Sequence, residues 1–337
     1  MKLLITGGAG FIGSNFIHYI LKNHPEDEVV NFDKLTYAGN LANLKDVETD
    51  KRYKFFKGDI ADKSSVLEAI GDCEAIINFA ADTHVDRSLL DPDAFIRTDI
   101  IGTRVLLDVV KEKKLKRYIQ ISTDEVYGDV EKGIFCKETD PLRPSSPYSA
   151  SKAAADLLVL AYRRTWNLPV LITRCTNNYG PNQYPEKFIP LAVTNLLQNQ
   201  KVPVYGDGLQ VRDWLYVEDH CRGVDLVLRK GQEGEVYNFG ANQDPEWPNL
   251  KILEAILKQL NKGDEFKSFV ADRAGHDRRY AVDTSKAEQE LGWRPTTGLT
   301  EGLKATVEWY VDRQDWWHPL KSGEFLAYYK KQYQDRK

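Results

Sequence analysis

Along the first half of the chain, short apolar runs alternate with longer stretches that are apolar at helical spacing. KLLIT (2–6), EVVNFD (28–33), KFFKGD (54–59), EAIINFAA (74–81), RYIQIS (117–122) and VLITR (170–174) read as strands. Between them, FIGSNFIHYILKNH (11–24), SSVLEAI (64–70), GTRVLLDVVKEKK (102–114) and SASKAAADLLVLAYRRTW (149–166) read as helices. Such alternation predicts a doubly wound α/β domain, a parallel sheet covered on both faces.

Beyond residue 176 the texture changes to longer loops rich in Asn, Pro, Gly and Tyr, with scattered helices such as KFIPLAVTNLLQNQ (187–200). The expected organisation is a first domain over 1–176 and a smaller C-terminal α/β substrate domain over 177–337. The stretch 213–230 (DWLYVEDHCRGVDLVLRK) reads as helix, and 213–240 is expected to return to the first domain. The tail KKQYQDRK reads as simply polar.

Composition narrows the function classes. The 337 residues carry a formal charge of −4, which argues against nucleic acid as a partner but leaves room for local cations around a small anion. Cys73, Cys136, Cys175 and Cys221 lie far apart, without metal-ligand spacing, and read as reduced buried thiols; no metal is expected. The N-terminal apolar run is too short for a signal peptide and no stretch reaches membrane-spanning length, so a soluble cytoplasmic protein is expected.

Candidate chemistry begins with TGGAGFIG (6–13), which follows the first strand and opens the first helix. Gly7, Gly10 and Gly13 allow a tight turn, close approach of a pyrophosphate to bare backbone, and close helix–strand packing, as in a Rossmann-type sheet. Twenty residues after Gly13, Asp33 ends the second strand, where a carboxylate accepts the adenosine ribose hydroxyls and repels the extra phosphate of NADP. The cofactor expected is therefore NAD. Asp59, at the end of KFFKGD, stands where it could meet the adenine edge.

Two further segments place reactive groups at this site. In YSASK, Tyr148 and Lys152 share one helix face, and an adjacent ammonium would lower the phenol pKa and make Tyr148 a general base. The Tyr53/Lys57 and Tyr333/Lys337 pairs share that spacing, but the first lies in a strand and the second in the tail. In STDEVYG, Thr123, Asp124 and Glu125 follow the strand RYIQIS, at the end of the sheet where ligands bind.

Taken in order, TGGAGFIG, DKLTYAGN, NFAADTHVDRS, STDEVYG, SSPYSASK, NNYGP, PEKFIP, RDWLYVEDH and DRAGHDRRYA resemble the extended short-chain dehydrogenase/reductases over nearly the whole chain. The adjacent Asp-Glu after Thr is most similar to the dTDP-glucose 4,6-dehydratase family. That resemblance implies oxidation at carbon 4 of the sugar, with Tyr148 taking the hydroxyl proton, assisted by Lys152. Elimination of water across carbons 5 and 6 follows, with Glu125 as base and Asp124 as acid, and then hydride return to carbon 6. Thr123 would hydrogen-bond the oxygen on carbon 4.

The same resemblance assigns Phe11, Ile12, Lys34, Leu35, Thr36, Ile60, Phe79, Ala80, Ala81, Thr83, Thr98 and Asn178 to cofactor contacts, beside the residues already named. It assigns Thr83, Asn177, Lys187, Phe188, Pro203, Tyr205, Arg212, Asn249, Arg273 and His276 to the nucleotide sugar, with the two arginines suited to a diphosphate. It also implies a homodimer through the helices at 102–114 and 149–166. Asp82 stands where the family carries Glu, and the segment at 240–250 looks longer than usual, which weakens the assignment of Asn249. A UDP- or GDP-sugar dehydratase, an epimerase or a decarboxylase shares much of this pattern. So would a non-catalytic NAD(H)-binding sensor, although such a protein has no need of Tyr148, Lys152, Asp124 and Glu125 together.

Overall fold

The computed structural model describes residues 1–334. Strands β1 (Lys2–Thr6), β2 (Glu28–Asp33), β3 (Tyr53–Lys57), β4 (Ala75–Asn78) and β5 (Arg117–Thr123) come first in the chain. Helices α1 (Phe11–Asn23), α2 (Lys63–Ile70), α3 (Val85–Leu90), α4 (Pro92–Phe95) and α5 (Thr103–Lys113) run between them. Helix α6 (Pro147–Trp166) leads to β6 (Val170–Cys175), followed by β7 (Asn177–Tyr179), α7 (Phe188–Leu197), β8 (Val202–Tyr205) and β9 (Trp214–Tyr216). The rest is α8 (Val217–Lys230), β10 (Val236–Phe239), α9 (Asn249–Gln259), β11 (Lys267–Val270), α10 (Ser285–Leu291), α11 (Leu299–Asp312), α12 (Gln314–Trp317) and α13 (Glu324–Tyr329).

Seven parallel strands form one sheet in the order β10-β6-β5-β4-β1-β2-β3. The chain crosses over between β1 and β4, and the crevice at the carboxyl ends of these strands is where ligands sit in such sheets. Alternate residues of each strand serve opposite faces. Leu3 and Ile5 join α1 and α8 in one core, whereas Leu4 joins α2, α5 and α6 in the other. A third core gathers α7, α9 and α11 around Tyr310, Trp316 and Trp317.

Several sequence expectations shift at their edges. Residues 213–230 are not one helix: Trp214–Tyr216 is a strand paired with β7, and α8 starts at Val217. The aromatic and aliphatic run WLY is short enough to read either way by periodicity. The helix expected from residue 102 is the end of a longer one. Asp91 caps α4, Pro92 takes its first position, and a π-helical stretch Ile96–Gly102 carries it into α5. Strand β4 stops at Asn78, so Phe79–Ala81 leave the sheet as cleft lining. The tail is more than polar, since Lys330–Gln334 form a further turn packed on the body; Lys337 lies outside the described residues.

Candidate active site

The site begins at the glycine turn. Gly7 adopts φ +68°, and a Cβ there would stand 2.5 Å from the Ala80 nitrogen; at Gly13 it would stand 2.4 Å from the Gly7 carbonyl. Only bare backbone fits, and it fits without slack. Gly10 caps α1 without any side-chain hydrogen bond, so the N–H groups of the first turn face the cleft with the positive end of the helix dipole. Asp33 closes β2 with Oδ2 accepting from Ala9 N at 2.9 Å and Oδ1 from Leu35 N at 2.7 Å. Each oxygen keeps a second lone pair for a hydroxyl. These residues fit a dinucleotide.

One cleft collects nearly all of the expected cofactor residues: Gly7, Gly10, Phe11, Ile12, Gly13, Asp33, Lys34, Thr36, Asp59, Ile60, Phe79, Ala80, Ala81, Thr83, Thr98, Tyr148, Lys152 and Asn178. Leu35 is outside that lining and serves instead, with φ +56°, to bring its N–H back to Asp33. Lys34 pairs with Asp59 at 2.9 Å. Asp82 also lines the cleft and accepts from Thr98 Oγ1 at 2.8 Å, so the shorter acid is anchored to the π-helical stretch.

The reactive groups meet at the carboxyl end of β5. Thr123 pairs with Cys175 of β6 and caps the 3-10 turn Asp124–Tyr127, accepting from Glu125 N at 3.3 Å. The capping geometry that makes Thr-Asp-Glu an ordinary turn thus also aims both acids into the cleft. Tyr127 faces away, bonded to Asn238 and to Arg174, which in turn pairs with buried Asp156. Helix α6 opens with Pro147 at its first position behind a Ser146–Ser149 capping box, which fixes Tyr148 in the first turn and Lys152 in the second.

Asp124 is 2% exposed; burial and the neighbouring Glu125 push its pKa well above the usual carboxylate range. That is the state a general acid needs. Tyr148 departs from expectation. Burial, then the carboxylates of Glu125 and Asp99, push its phenol above the ordinary value, and the Thr123 hydrogen bond acts the other way. The Lys152 ammonium donates to the Ile121 carbonyl at 2.7 Å. Burial first, then the two nearby acids, all invisible in the YSASK spacing, account for the difference.

Thr83, Thr123, Asn177 and Lys187 of the expected substrate set line the same cleft; Phe188, Pro203, Tyr205, Arg212, Asn249, Arg273 and His276 lie outside it. Lys187 donates to the Thr83 carbonyl at 2.6 Å. Burial lowers its pKa, with Arg273 acting in the same direction and Glu186 and Glu125 opposing. Arg212 is 6% exposed and donates to the carbonyls of Val211, Asp277 and Arg278, with no ion pair among the described residues. Burial lowers its pKa, and Arg273 is a cation close enough to add to this. His276, bonded to Asp272 at 2.6 Å, is held to about 4 by burial and Arg273. Lys187, Arg212 and Arg273 form a group of cations suited to a multiply charged anion. Asn249 starts α9 with its Oδ1 buried and unpartnered among the described residues; Phe188 opens α7 with its ring against Trp214, and Pro203 lies in β8 paired with Ser268.

Two features escaped the sequence reading. Asp99, inside the π-helical stretch, is buried, accepts from Ser151 Oγ at 2.6 Å and is pushed up to about 7 by burial. Its only sequence signal is an acid within an apolar helical run. The turn after α13 brings Gln332 to the Tyr205 hydroxyl at 2.6 Å, with the Tyr333 ring beside that of Tyr205.

A protein-family model described as GDP-mannose 4,6 dehydratase matches residues 4–306. The chain is 49% identical over 326 residues to the dTDP-glucose 4,6-dehydratase of Streptomyces antibioticus, covering 95% of this chain and 96% of that one. It resembles the crystal structure of a Streptomyces venezuelae dTDP-glucose 4,6-dehydratase with NAD bound at TM-score 0.93 and 47% identity, covering 95% of this chain and all of the other. A Bacillus anthracis dTDP-glucose 4,6-dehydratase in complex with NAD is similar at TM-score 0.89 and 48% identity, again over 95% of this chain and 100% of the other. Fold, reactive groups and relatives agree: this chain belongs to the dTDP-glucose 4,6-dehydratase family.

Proposed function

We propose that this protein dehydrates dTDP-glucose to dTDP-4-keto-6-deoxyglucose. The observation that carries the reading is the pair at the end of β5. A carboxyl whose pKa burial and Glu125 push well above the usual range (Asp124) adjoins a second acid (Glu125), and both line one cleft with Tyr148 and Lys152. Epimerisation needs the tyrosine alone; elimination needs an acid and a base beside it.

NAD, when bound, supplies the acceptor that takes a hydride from carbon 4 and gives it back at carbon 6. The glycine turn, the α1 N-terminus and Asp33 hold it. Tyr148 Oη takes the carbon 4 hydroxyl proton, with the Lys152 ammonium and the Thr123 hydroxyl supporting the phenolate. Once carbon 4 is a ketone, the hydrogen on carbon 5 is acidic, and Glu125 removes it. Asp124 gives its proton to the departing carbon 6 hydroxyl, which leaves as water. Glu125 then returns a proton to carbon 5. Lys187, Arg212, Arg273 and His276 hold the diphosphate side of the substrate, and Asn249 is the candidate for its base or sugar.

The division of labour is that 1–176 with 213–240 carries the cofactor and the remainder of 177–337 the nucleotide sugar. The working unit is a cytoplasmic homodimer: Ile101 and Leu157, large apolar residues at the end of the π-helical stretch and on α6, are 41% and 59% exposed. Among the described residues no helix is long and apolar enough to cross a membrane.

The test follows the hydrogens. Substrate deuterated at carbon 4 is expected to give product with deuterium in its new methyl group, even with excess unlabelled NADH. In heavy water carbon 5 is expected to gain deuterium. Label kept at carbon 4, or lost to free NADH, would overturn the reading.

A further inference from the structure

In the reaction just proposed NAD ends each turnover oxidised, as it began, so the cofactor has no need to exchange with solvent; the inference here rests on that reading. Two segments far apart in the chain line the cleft that takes it. Thr36, Ala38 and Gly39 come from the turn after β2, and Gln183, Tyr184, Glu186 and Lys187 from the loop before α7. The turn is closed by Gly39 N on the Thr36 carbonyl at 3.0 Å. Its ends are pinned by Leu35 N on Asp33 at 2.7 Å and by Asn40 N on the Ala9 carbonyl at 2.9 Å. Tyr37, at the tip, is the one residue from Thr36 to Gly39 that does not line the cleft.

The Tyr37 ring meets Arg87 of α3 instead. The Arg87 guanidinium carbon stands 3.6 Å from the centre of that ring and 4.5 Å from the centre of the Tyr328 ring on α13. Its Nε donates to Glu186 Oε2 at 2.9 Å and its Nη1 to Glu324 Oε1 at 3.1 Å. Tyr37 also meets the Tyr184 ring edge-on, with centroids 5.5 Å apart. The Arg87 side chain is 17% exposed and that of Glu186 only 2%, a setting in which a planar cation gains most from a ring face and a carboxylate. One side chain thus ties the turn that follows Asp33 to the loop that carries Lys187, and braces both with the last helix.

We propose that Arg87 and Tyr37 form a clasp that keeps NAD in its cleft between turnovers. Neither lines the cleft, so both are positioning residues. Arg87 acts through Glu186, and Tyr37 through Thr36 and Ala38 on either side of it. Release of the cofactor requires the ring to leave the guanidinium, whereas the chemistry does not.

The experiment follows release directly. Holoenzyme loaded with radiolabelled NAD is mixed with excess unlabelled NAD, and the label left on the protein is counted by rapid filtration. Tyr37→Leu is expected to release label roughly tenfold faster than the unmodified protein. Tyr37→Phe restores the ring face and should release at the unmodified rate. Arg87→Met should also speed release, and the double variant should be no faster than the faster single one, because both changes open the same contact. Arg87→Lys, which lacks the planar fork, takes its place if Arg87→Met fails to fold. With saturating NAD, kcat of Tyr37→Leu should be unchanged, which a general loosening of the fold would not allow. Release from Tyr37→Leu at the unmodified rate, or effects of the two changes that multiply, would overturn the clasp. Failure of the unmodified protein to form the keto-deoxy product would overturn the dehydratase reading instead, since the release rates need no substrate.

Discussion

Replacing Asp99 by Asn should stabilise the protein increasingly as the pH rises. Asp99 is 1% exposed, and burial lifts its carboxyl from 3.8 to about 7, with Asp82 adding to the lift and Lys152 and Ser151 opposing it. A carboxyl with a raised folded-state pKa binds its proton more tightly folded than unfolded. The stability it confers is complete below the unfolded value and lost as pH climbs through the folded one. The window is therefore 3.8 to about 7, which corresponds to about 4 kcal/mol lost across it. Asn can keep the bond from Ser151 Oγ and does not titrate. Urea unfolding of the full chain and of Asp99→Asn, both with saturating NAD, gives the difference directly, because the other acids largely cancel. From about pH 5 to about pH 7 that difference should move by about 2 kcal/mol in favour of the variant, and level off above. A difference independent of pH over this range would show that Asp99 is already ionised in the fold, refuting the account of its buried setting.

Tyr148→Phe should abolish NADH absorbance on mixing with substrate, whereas Glu125→Gln should allow it to appear and persist while product formation falls roughly 10²–10⁴-fold; wild-type turnover by Glu125→Gln would remove that residue from the mechanism. Gly13→Ala places a methyl 2.4 Å from the Gly7 carbonyl, where only backbone could yield, and should weaken NAD binding by about 1–3 kcal/mol in calorimetry; unchanged affinity would mean that the turn can open. Leu157→Lys, at a position 59% exposed, should halve the mass in solution and leave the helix content intact; an unchanged mass, or an unmodified protein already monomeric at micromolar concentration, would discard the pairing of α5 and α6.

What the sequence showed plainly was local. TGGAGFIG declares a turn, a helix start and an anion site within eight residues, and each property follows from neighbours in the chain. Strands β7 and β9 did not show, because three residues carry no period and each is a strand only by pairing with the other. Asp99 looked like an ordinary polar interruption of a helix; it is buried in the fold, and the groups that act on it, Lys152, Ser151 and Asp82, come from other elements. The last turn looked solvated because KKQYQ sets one aromatic residue among polar ones, and its partner, Tyr205, is more than a hundred positions away. The direction of the Tyr148 shift was misjudged for the same reason: spacing reveals Lys152, but only the fold reveals the burial, and then Glu125 and Asp99, that raise the phenol.

The strand order has a consequence for the making of the protein. Strand β6 takes its outer neighbour, β10, from a segment that begins about 60 residues after β6 ends. At roughly 5–20 residues per second, a growing chain that has placed β1 to β6 waits on the order of 3–12 s before β10 is synthesised. Throughout that interval VLITRC presents an unpaired edge made of residues that are all buried in the finished sheet. Val170–Cys175 is thus the stretch most exposed to mispairing with another nascent chain, and a synonymous change that slows translation between residues 176 and 236 should lower soluble yield without altering a single amino acid.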